Sequence, residues 1–253
     1  MLQGERLDII MEKVREKKFI SVEELAQLLG VSLMTIRRDF NLLCESGQLE
    51  RCHGGARLVQ HTISEIDYDI KKEQNNAEKK KLAQKAMEFI EENDTIYLDS
   101  GTTTGEVAKL LCRFNKHVSV VTNELNIATI LLDSNVDLTI LGGTVQKKTK
   151  SVIGLASEEF LKQYRFSKVF IGTTSVDYNF DVFSPTYEKA HMKQMLIKQS
   201  SQIYLMADSS KFYSQAMCFV ASLSEFTGVI TDKVFNETEL ENINKLSINV
   251  IQV

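Results

Sequence analysis

The stretch VSLMTIRRDFNLLCESGQLERCHGGARL, residues 31–58, combines a helical pattern with a hairpin pattern that contains two glycines. Ser32 is placed to cap a helix, and Gly47 interrupts the helical pattern. The apolar positions expected to face inward are Leu33, Ile36, Phe40 and Leu43. The positions left on or near the outer face are Thr35, Arg37, Arg38 and Asn41. Beyond Gly47, polar and apolar residues alternate around Gly54 and Gly55, which predicts a two-stranded hairpin whose turn needs positive φ.

Two further helices are predicted upstream of this stretch. Residues 5–17 place Leu7, Ile10, Met11 and Val14 on one face. Ser21 and Glu24 have the spacing of a capping box, and Gly30 supplies a left-handed C-cap for the helix that follows. A helix, a short turn with glycine and a second helix form the helix-turn-helix pattern, and a hairpin after it is a wing. Together they predict a DNA-binding winged helix.

The residues expected to meet DNA fall into two groups. The groove candidates on the third helix are Ser32, Thr35, Arg37 and Arg38. The wing candidates, expected at phosphate or in the minor groove, are Arg51, His53, Gly54, Gly55 and Arg57. The alternative for the two helix arginines is a solvated face with intrahelical pairs to Asp39 or Glu45. A metal-ligand role for His53 lacks a second ligand at suitable spacing.

Composition limits how DNA can be bound. The chain of 253 residues has 30 Lys and Arg against 34 Asp and Glu, a formal net charge of -4. Residues 1–60 hold nine of each sign, so the whole acidic excess lies beyond them. Affinity for DNA must therefore come from a few placed contacts and from dimerisation.

The chain also lacks the marks of several other protein classes. No apolar run is long enough to span a membrane, and the charged N-terminus does not fit a signal peptide, so we expect a cytoplasmic protein. The four cysteines lie at 44, 52, 112 and 218 without CxxC spacing. They are expected to be reduced, packed thiols rather than disulfides or zinc ligands. No cofactor and no metal site is predicted.

The remainder of the chain predicts an α/β domain. Residues 61–76 are polar and aperiodic, which indicates a linker between a DNA-binding domain at 1–60 and a second domain at 77–253. Strands alternating with helices of about ten residues favour a mostly parallel sheet that is covered on both faces. The predicted strands are 95–99, 118–122, 137–141, 168–172, 202–207, 228–232 and a closing strand within 246–253.

One loop of this domain is typical of an anion site. The segment from Asp99 to Gly105, DSGTTTG, joins a strand to a helix, where small residues, hydroxyls and a helix N-terminus suit phosphate. The alternative is an ordinary threonine-rich helix cap. The segment is not a nucleotide P-loop, because no lysine follows at the required spacing. Lys211, which follows another strand, could reach a phosphate in this loop or be a plain surface lysine.

These motifs resemble a known family. The segment VEELAQLLGVSLMTIRRDFNLLCESGQLERCHGGA resembles the winged helix of the DeoR family of bacterial transcriptional regulators. The later segments resemble the sensor domain of that family, so the likeness covers almost the full length. The resemblance implies a fold similar to ribose-5-phosphate isomerase and CoA-transferase-like proteins. It also implies a repressor of a sugar transport or catabolism operon, acting as a homodimer or homotetramer on operator DNA with a phosphorylated sugar as effector.

The resemblance also assigns residues to the effector. Gly101, Thr102, Thr103 and Thr104 with Lys211 would hold the phosphate. The residues that would meet the sugar hydroxyls are Asp99, Asn123, Asp177 and Glu188. The run GTTSVD at 172–177 departs from the more usual family pattern by losing an acid and a glycine.

Two alternatives from other functional classes remain at this point. A sugar-phosphate isomerase fused to a DNA-binding head would need a placed general base, for which Glu188 and Asp177 are the nearest candidates. The acid-rich and glycine-rich loops of such sites are mostly absent, so a non-enzymatic sensor is expected. A ligand-independent DNA-binding protein would show no response to sugar phosphates.

Overall fold

The computed structural model describes residues 2–17, 19–46, 48–52, 54–58 and 63–253. It divides into two compact units, with the boundary between His61 and Thr62. Among the described residues, no helix is both long and apolar enough to cross a membrane. The predicted class, a winged helix-turn-helix followed by a mostly parallel α/β unit, is confirmed.

The described part of the N-terminal unit has three helices and a three-stranded antiparallel sheet in the order β1-β3-β2. Its elements are α1 (Gln3–Lys17), β1 (Phe19–Ser21), α2 (Val22–Leu29), α3 (Leu33–Glu45), β2 (Leu49–Cys52) and β3 (Gly55–Leu58). The predicted hairpin is β2–β3. Strand β1, which was not predicted, adds to the hairpin by pairing Ile20 with Ala56.

Local capping defines the helix-turn-helix. The hydroxyl of Ser21 accepts a hydrogen bond from the backbone N–H of Glu24 at 3.1 Å, and Ser32 accepts one from Thr35 at 3.1 Å. Gly30 has φ of 63°, the left-handed conformation expected of a C-cap. Only half of the predicted capping box forms, because the Glu24 carboxylate pairs with Lys17 instead.

Two sequence-based details of this unit need correction. Leu33 was expected to face the core, but it is the first residue of α3 and remains 43% exposed. Of the two hairpin glycines, Gly54 has the positive φ that the turn requires, 77°. Gly55 is required for a steric reason instead. A Cβ on Gly55 would collide with the carbonyl oxygen of Ile20 in β1. The remaining core positions of α3, Ile36, Phe40 and Leu43, are buried as predicted.

The C-terminal unit contains a seven-stranded parallel sheet in the order β15-β14-β12-β9-β4-β5-β6. These strands are β4 (Thr95–Leu98), β5 (Ser119–Thr122), β6 (Asp137–Ile140), β9 (Phe166–Gly172), β12 (Ser200–Met206), β14 (Gly228–Thr231) and β15 (Val250–Gln252). All seven lie within or next to the predicted strands, because each is a short run rich in β-branched and aromatic residues.

Helices cover both faces of this sheet. They are α4 (Tyr68–Glu73), α5 (Asn76–Met87), α6 (Thr102–Leu111), α7 (Leu125–Leu131), α8 (Leu155–Lys162), α9 (Tyr187–Lys198) and α10 (Glu237–Lys245). Two apolar cores result, one centred on Leu82, Val107 and Ile127, the other on Val169, Leu196 and Leu205.

Five short strands stand outside the main sheet and were not predicted. Strands β7 (Thr144–Gln146) and β8 (Ser151–Ile153) form an antiparallel pair. Strands β10 (Ser175–Val176), β11 (Asp181–Ser184) and β13 (Cys218–Ser222) form a small antiparallel sheet.

The segment that the sequence indicated as a linker belongs in part to the C-terminal unit. Its described portion, 63–76, begins with the Ile63 N–H donating to the Gln215 carbonyl at 2.9 Å and then forms α4. The N–H of Tyr68, which is buried, donates to the Lys148 carbonyl at 3.0 Å. These contacts explain why this segment is structured despite its polar composition.

Candidate functional site

The outer face of α3 presents unpaired positive charge. Arg37 and Arg38 are exposed, and within the described residues neither guanidinium has a hydrogen-bond or ion-pair partner. Asp39, which the sequence left as a possible partner for them, is fully buried and pairs with Arg6 of α1, Nη2 to Oδ1 at 3.0 Å. The acid next to the two arginines in sequence is therefore held on the opposite face, which leaves both cations available to DNA phosphates or base edges.

The other groove candidates have partners in α3 itself. The hydroxyls of Ser32 and Thr35 are 2.9 Å apart and hydrogen-bonded while Ser32 caps the helix. Sequence reasoning missed Met34, which is 71% exposed. Met34 lies three and four positions before the two arginines, so the three side chains share one face of the helix. An apolar side chain there suits contact with a thymine methyl group.

The wing arginines both make contacts inside the unit. Arg51 donates from Nη2 to the Arg37 carbonyl at 3.0 Å and to Asn41 Oδ1 at 2.8 Å, which ties the wing to α3. Arg57 pairs with Glu50 across the hairpin. Their DNA contacts stay predictions, and His53 lies outside the described residues.

A cavity lies where the order of the parallel strands reverses. Strands β4 and β9 are neighbours, but the chain continues from β4 towards β5 and from β9 towards β12. The loops after β4 and β9 therefore diverge and leave a crevice at the carboxyl ends of the strands, where open α/β sheets bind ligands. The cavity has a volume of about 240 Å³ and reaches Gly101 at one loop and Gly172 at the other.

Lysines dominate the lining of this cavity. They come from three helices, α4, α5 and α9, and from the loop after β12, and are Lys71, Lys79, Lys189, Lys193 and Lys211. Glu65 is the one acidic residue among the lining residues within the described chain. The first turn of α6 also reaches the cavity through Thr102 and Thr103, where helix N–H groups have no partner within the helix. Lysines and a helix N-terminus both favour an anion.

Burial depresses the basicity of three of these lysines. It lowers the pKa of Lys79 to about 8, and repulsion from Lys211 acts in the same direction. Burial likewise lowers the pKa of Lys71 and the pKa of Lys189, against the attraction of Glu65. An anion bound among these ammonium groups would reverse the shift, so the cavity is electrostatically prepared for one.

Asp99 has a different position from the one expected. It was a candidate for sugar hydroxyls, but its carboxylate is buried and pairs with Lys193 of α9, a residue that sequence reasoning missed. The same carboxylate accepts a hydrogen bond from the Gly172 N–H at 3.2 Å, and Lys193 donates to the Gly172 carbonyl at 2.7 Å. The pair joins the ends of β4 and β9 beneath the cavity.

The structure brings together part of the predicted effector site. Gly101, Thr102, Thr103 and Lys211 line one cavity, as expected of a shared anion site. Thr104 does not, because its buried hydroxyl donates to the carbonyls of Asp99 and Gly101 at 2.6 and 2.9 Å and stabilises the loop.

Three predicted sugar-binding residues also lie outside the cavity lining. The Asn123 amide donates to the Val152 carbonyl at 3.1 Å. The Asp177 carboxylate accepts the N–H groups of Asn179 and Asp181 at 2.8 and 2.9 Å and shapes the β10–β11 turn. Glu188 is exposed, and its neighbour Lys189 enters the cavity instead.

Comparison with known proteins agrees with this architecture. The profile of the DeoR-like helix-turn-helix domain matches residues 6–62, and that of the DeoR C terminal sensor domain matches residues 74–233. The HTH-type transcriptional regulator GlpR of Haloferax volcanii is 33% identical over 99% of this chain and 98% of its own. The glycerol-3-phosphate regulon repressor of Escherichia coli K12 is 33% identical over 92% of each chain. A solved ribose 5-phosphate isomerase of Methanocaldococcus jannaschii is 14% identical over 55% of each chain, with a TM-score of 0.42.

The buried Asp99–Lys193 pair yields a stability prediction. Replacement of Lys193 by Met leaves a buried carboxylate without its partner, which should lower the free energy of unfolding of the C-terminal unit by about 3–5 kcal/mol. Urea unfolding followed by tyrosine fluorescence measures this unit alone, because all seven tyrosines lie beyond residue 67 and the chain has no tryptophan. The control is Lys198→Met, at an exposed position of α9. Equal stability of the two variants would contradict the assignment, and adding Asp99→Asn to Lys193→Met should recover part of the loss.

Proposed function

The chain belongs to the DeoR family of DNA-binding transcriptional regulators, and we propose that it represses a sugar-related operon under the control of a phosphorylated sugar. The lysine cavity supports this proposal more than any other observation. Four of its lysines remain outside the Asp99–Lys193 pair, and together with the N-terminus of α6 they suit a phosphate dianion. One relative is named as the repressor of a glycerol-3-phosphate regulon, and glycerol 3-phosphate is a phosphorylated metabolite of similar chemistry.

The cavity divides into a part suited to phosphate and a part suited to hydroxyls. The N–H groups at Thr102 and Thr103 face the phosphate, with Lys79 and Lys211 as its counter-ions. Polar groups from other lining residues can hydrogen-bond a sugar, namely Gln74, Thr173, Thr174 and Ser184. The site thus separates charge recognition from hydroxyl recognition.

The family and its curated relatives are transcriptional regulators rather than enzymes. The geometry agrees with a binding role. Glu188 and Asp177, the candidate general bases, lie outside the cavity lining, and the Asp99 carboxylate is held by Lys193. Among the described residues that line the cavity, Glu65 is the one carboxylate that could abstract a proton from a bound sugar. It already contacts two lysines, Lys71 and Lys189.

In the proposed mechanism a cytoplasmic homodimer or homotetramer places two winged helices on successive turns of an operator. Arg37, Arg38 and Met34 meet the major groove, while the wing meets the backbone. Effector binding in the cavity weakens operator affinity by a coupling free energy of about 1–3 kcal/mol.

A thermal-shift screen of the full chain tests the effector. At a concentration about 100 times its Kd, a sugar phosphate should stabilise the C-terminal unit by about 2.7 kcal/mol and raise its Tm by about 5–10 °C. The unphosphorylated sugars should have no effect. Lys211→Ala should abolish the shift, whereas Lys245→Ala, at an exposed lysine outside the cavity, should retain it. If no sugar phosphate raises Tm, the ligand-independent alternative is supported; turnover of the sugar would support the enzyme.

Affinity for the effector should fall as pH rises above 8. The pKa of Lys79 is about 8 in the free protein, and a bound dianion favours the protonated ammonium, so binding takes up a proton above that pH. The expected slope approaches a tenfold loss of affinity per pH unit for each proton taken up. Titration calorimetry between pH 7 and 10 measures it. Lys79→Arg keeps the charge throughout and should make the slope shallower; an unchanged slope would contradict the assignment to Lys79.

Arg37→Ala tests the groove assignment. If Arg37 contacts a guanine edge, the variant should lose about 1–3 kcal/mol at operator sequences selected from random DNA, with little loss on unselected DNA. Fluorescence anisotropy at one fixed salt concentration measures both affinities. Arg113→Ala, an exposed arginine of the C-terminal unit, serves as control. An equal loss on both kinds of DNA would assign Arg37 to phosphate instead.

A further inference from the structure

Glu65 enters the lysine cavity from the segment that follows the boundary between the two units. Residues 63–67 are anchored at one end by the hydrogen bond from Ile63 to Gln215 and at the other by that from Tyr68 to Lys148. Between these anchors the Glu65 side chain is only 17% exposed and lines the cavity together with Ile63. A short stretch of chain thereby places a carboxylate inside a site that otherwise suits an external anion.

The contacts of Glu65 are those of an anion with incomplete coordination. Its Oε1 lies 3.0 Å from Nζ of Lys189 and 3.4 Å from Nζ of Lys71. Its Oε2 is buried and has no hydrogen-bond partner among the described residues. A buried carboxylate oxygen without a partner carries a desolvation penalty that no hydrogen bond offsets. Lys71 and Lys189 therefore share one carboxylate oxygen, while the other oxygen of the same carboxylate has no hydrogen-bond partner among the described residues.

The remaining acids near the cavity have other partners. Asp99 is paired with Lys193. Asp208 accepts hydrogen bonds at Oδ1 from the Asn75 amide and the Ser210 N–H, both at 3.0 Å, and its Oδ2 lies 3.8 Å from Nζ of Lys211. Glu65 is thus the carboxylate within ion-pair distance of Lys71 and Lys189 in the described chain. A phosphate dianion has twice the charge and three terminal oxygens, so it is a better partner for two ammonium groups.

We propose that Glu65 is an internal competitor of the effector, which an anion bound in the lysine cavity displaces from Lys71 and Lys189. The inference rests on the proposed function of the cavity and adds how occupancy is sensed. Displacement leaves the hydrogen bond from Ile63 to Gln215 as the contact that holds the start of this segment. Once that bond opens, Tyr68 becomes the anchor, and the free connection to the DNA-binding unit gains five residues, about 17 Å when fully extended. Ligand binding thereby lengthens the free segment that connects the cavity to the DNA-binding unit.

Phosphate affinity of the full chain provides the first test, with inorganic phosphate as the probe and ionic strength held constant with chloride. Glu65→Gln keeps the shape of the side chain and removes the competing charge. It should bind phosphate about tenfold more tightly than the unmodified chain, a free-energy change of about 1.4 kcal/mol. Glu73→Gln is the matched control, because it makes the same charge change on the exposed surface of α4 and should leave the affinity unchanged. If Glu65→Gln fails to fold, Glu65→Asp, which keeps the charge but shortens its reach, should give a smaller gain in the same direction.

Hydrogen exchange followed by mass spectrometry provides the second test. Saturating phosphate should increase exchange at residues 63–67 of the unmodified chain while decreasing it in the first turn of α6. In Glu65→Gln, exchange at 63–67 should already be high and change little with phosphate.

The outcomes separate this inference from the function on which it rests. Absence of phosphate binding in every variant would contradict the proposed cavity. Binding of equal strength in Glu65→Gln, Glu73→Gln and the unmodified chain would overturn the competition alone. Weaker binding in Glu65→Gln would show that Glu65 supports the ligand, and tighter binding with unchanged exchange at 63–67 would overturn the displacement.

Discussion

The buried ion pair between Asp99 and Lys193 is the contact on which the lysine cavity depends. Asp99 follows β4, Lys193 lies in α9, and both contact Gly172 at the end of β9. The pair thus holds two diverging strand ends and a covering helix together where the sheet opens. It also removes a negative charge from the cavity, since an unpaired Asp99 would repel the anion that the other lysines attract. One pair therefore provides both the shape and the sign of the site.

Sequence predicted the elements whose causes are local. Helix caps depend on neighbouring residues, so capping patterns identify those at Ser21, Gly30 and Ser32. The seven parallel strands are short apolar runs, which periodicity identifies. Strand β1 and the small sheet of β10, β11 and β13 were missed because short strands are stabilised by partners far away in the chain. The steric need for Gly55 likewise depends on Ile20, 35 positions earlier.

In the candidate site, too, the sequence predicted the features that depend on neighbouring residues and missed those that depend on the fold. The loop 99–105 was found because small residues and hydroxyls between a strand and a helix are visible locally. Four of the cavity lysines were not, since they come from three helices, α4, α5 and α9, that only the fold brings together. One signal was available: Lys189 and Lys193 are one helical turn apart, so they share a face of α9. Glu188 was assigned to the sugar by the family resemblance, but adjacent helix positions point about 100° apart, so Glu188 faces solvent while Lys189 lines the cavity.

The two units solve the same electrostatic problem in an acidic chain. To bind an anion, each must keep nearby carboxylates from neutralising its cations. In the DNA-binding unit Asp39 is buried against Arg6, which leaves Arg37 and Arg38 without a partner among the residues that the structure describes. In the sheet unit Asp99 is buried against Lys193. The contrast is Glu65, a carboxylate left inside the cavity. Unlike the carboxylates of Asp39 and Asp99, that of Glu65 has a buried oxygen without a hydrogen-bond partner among the described residues, which is the state that an exchangeable occupant requires.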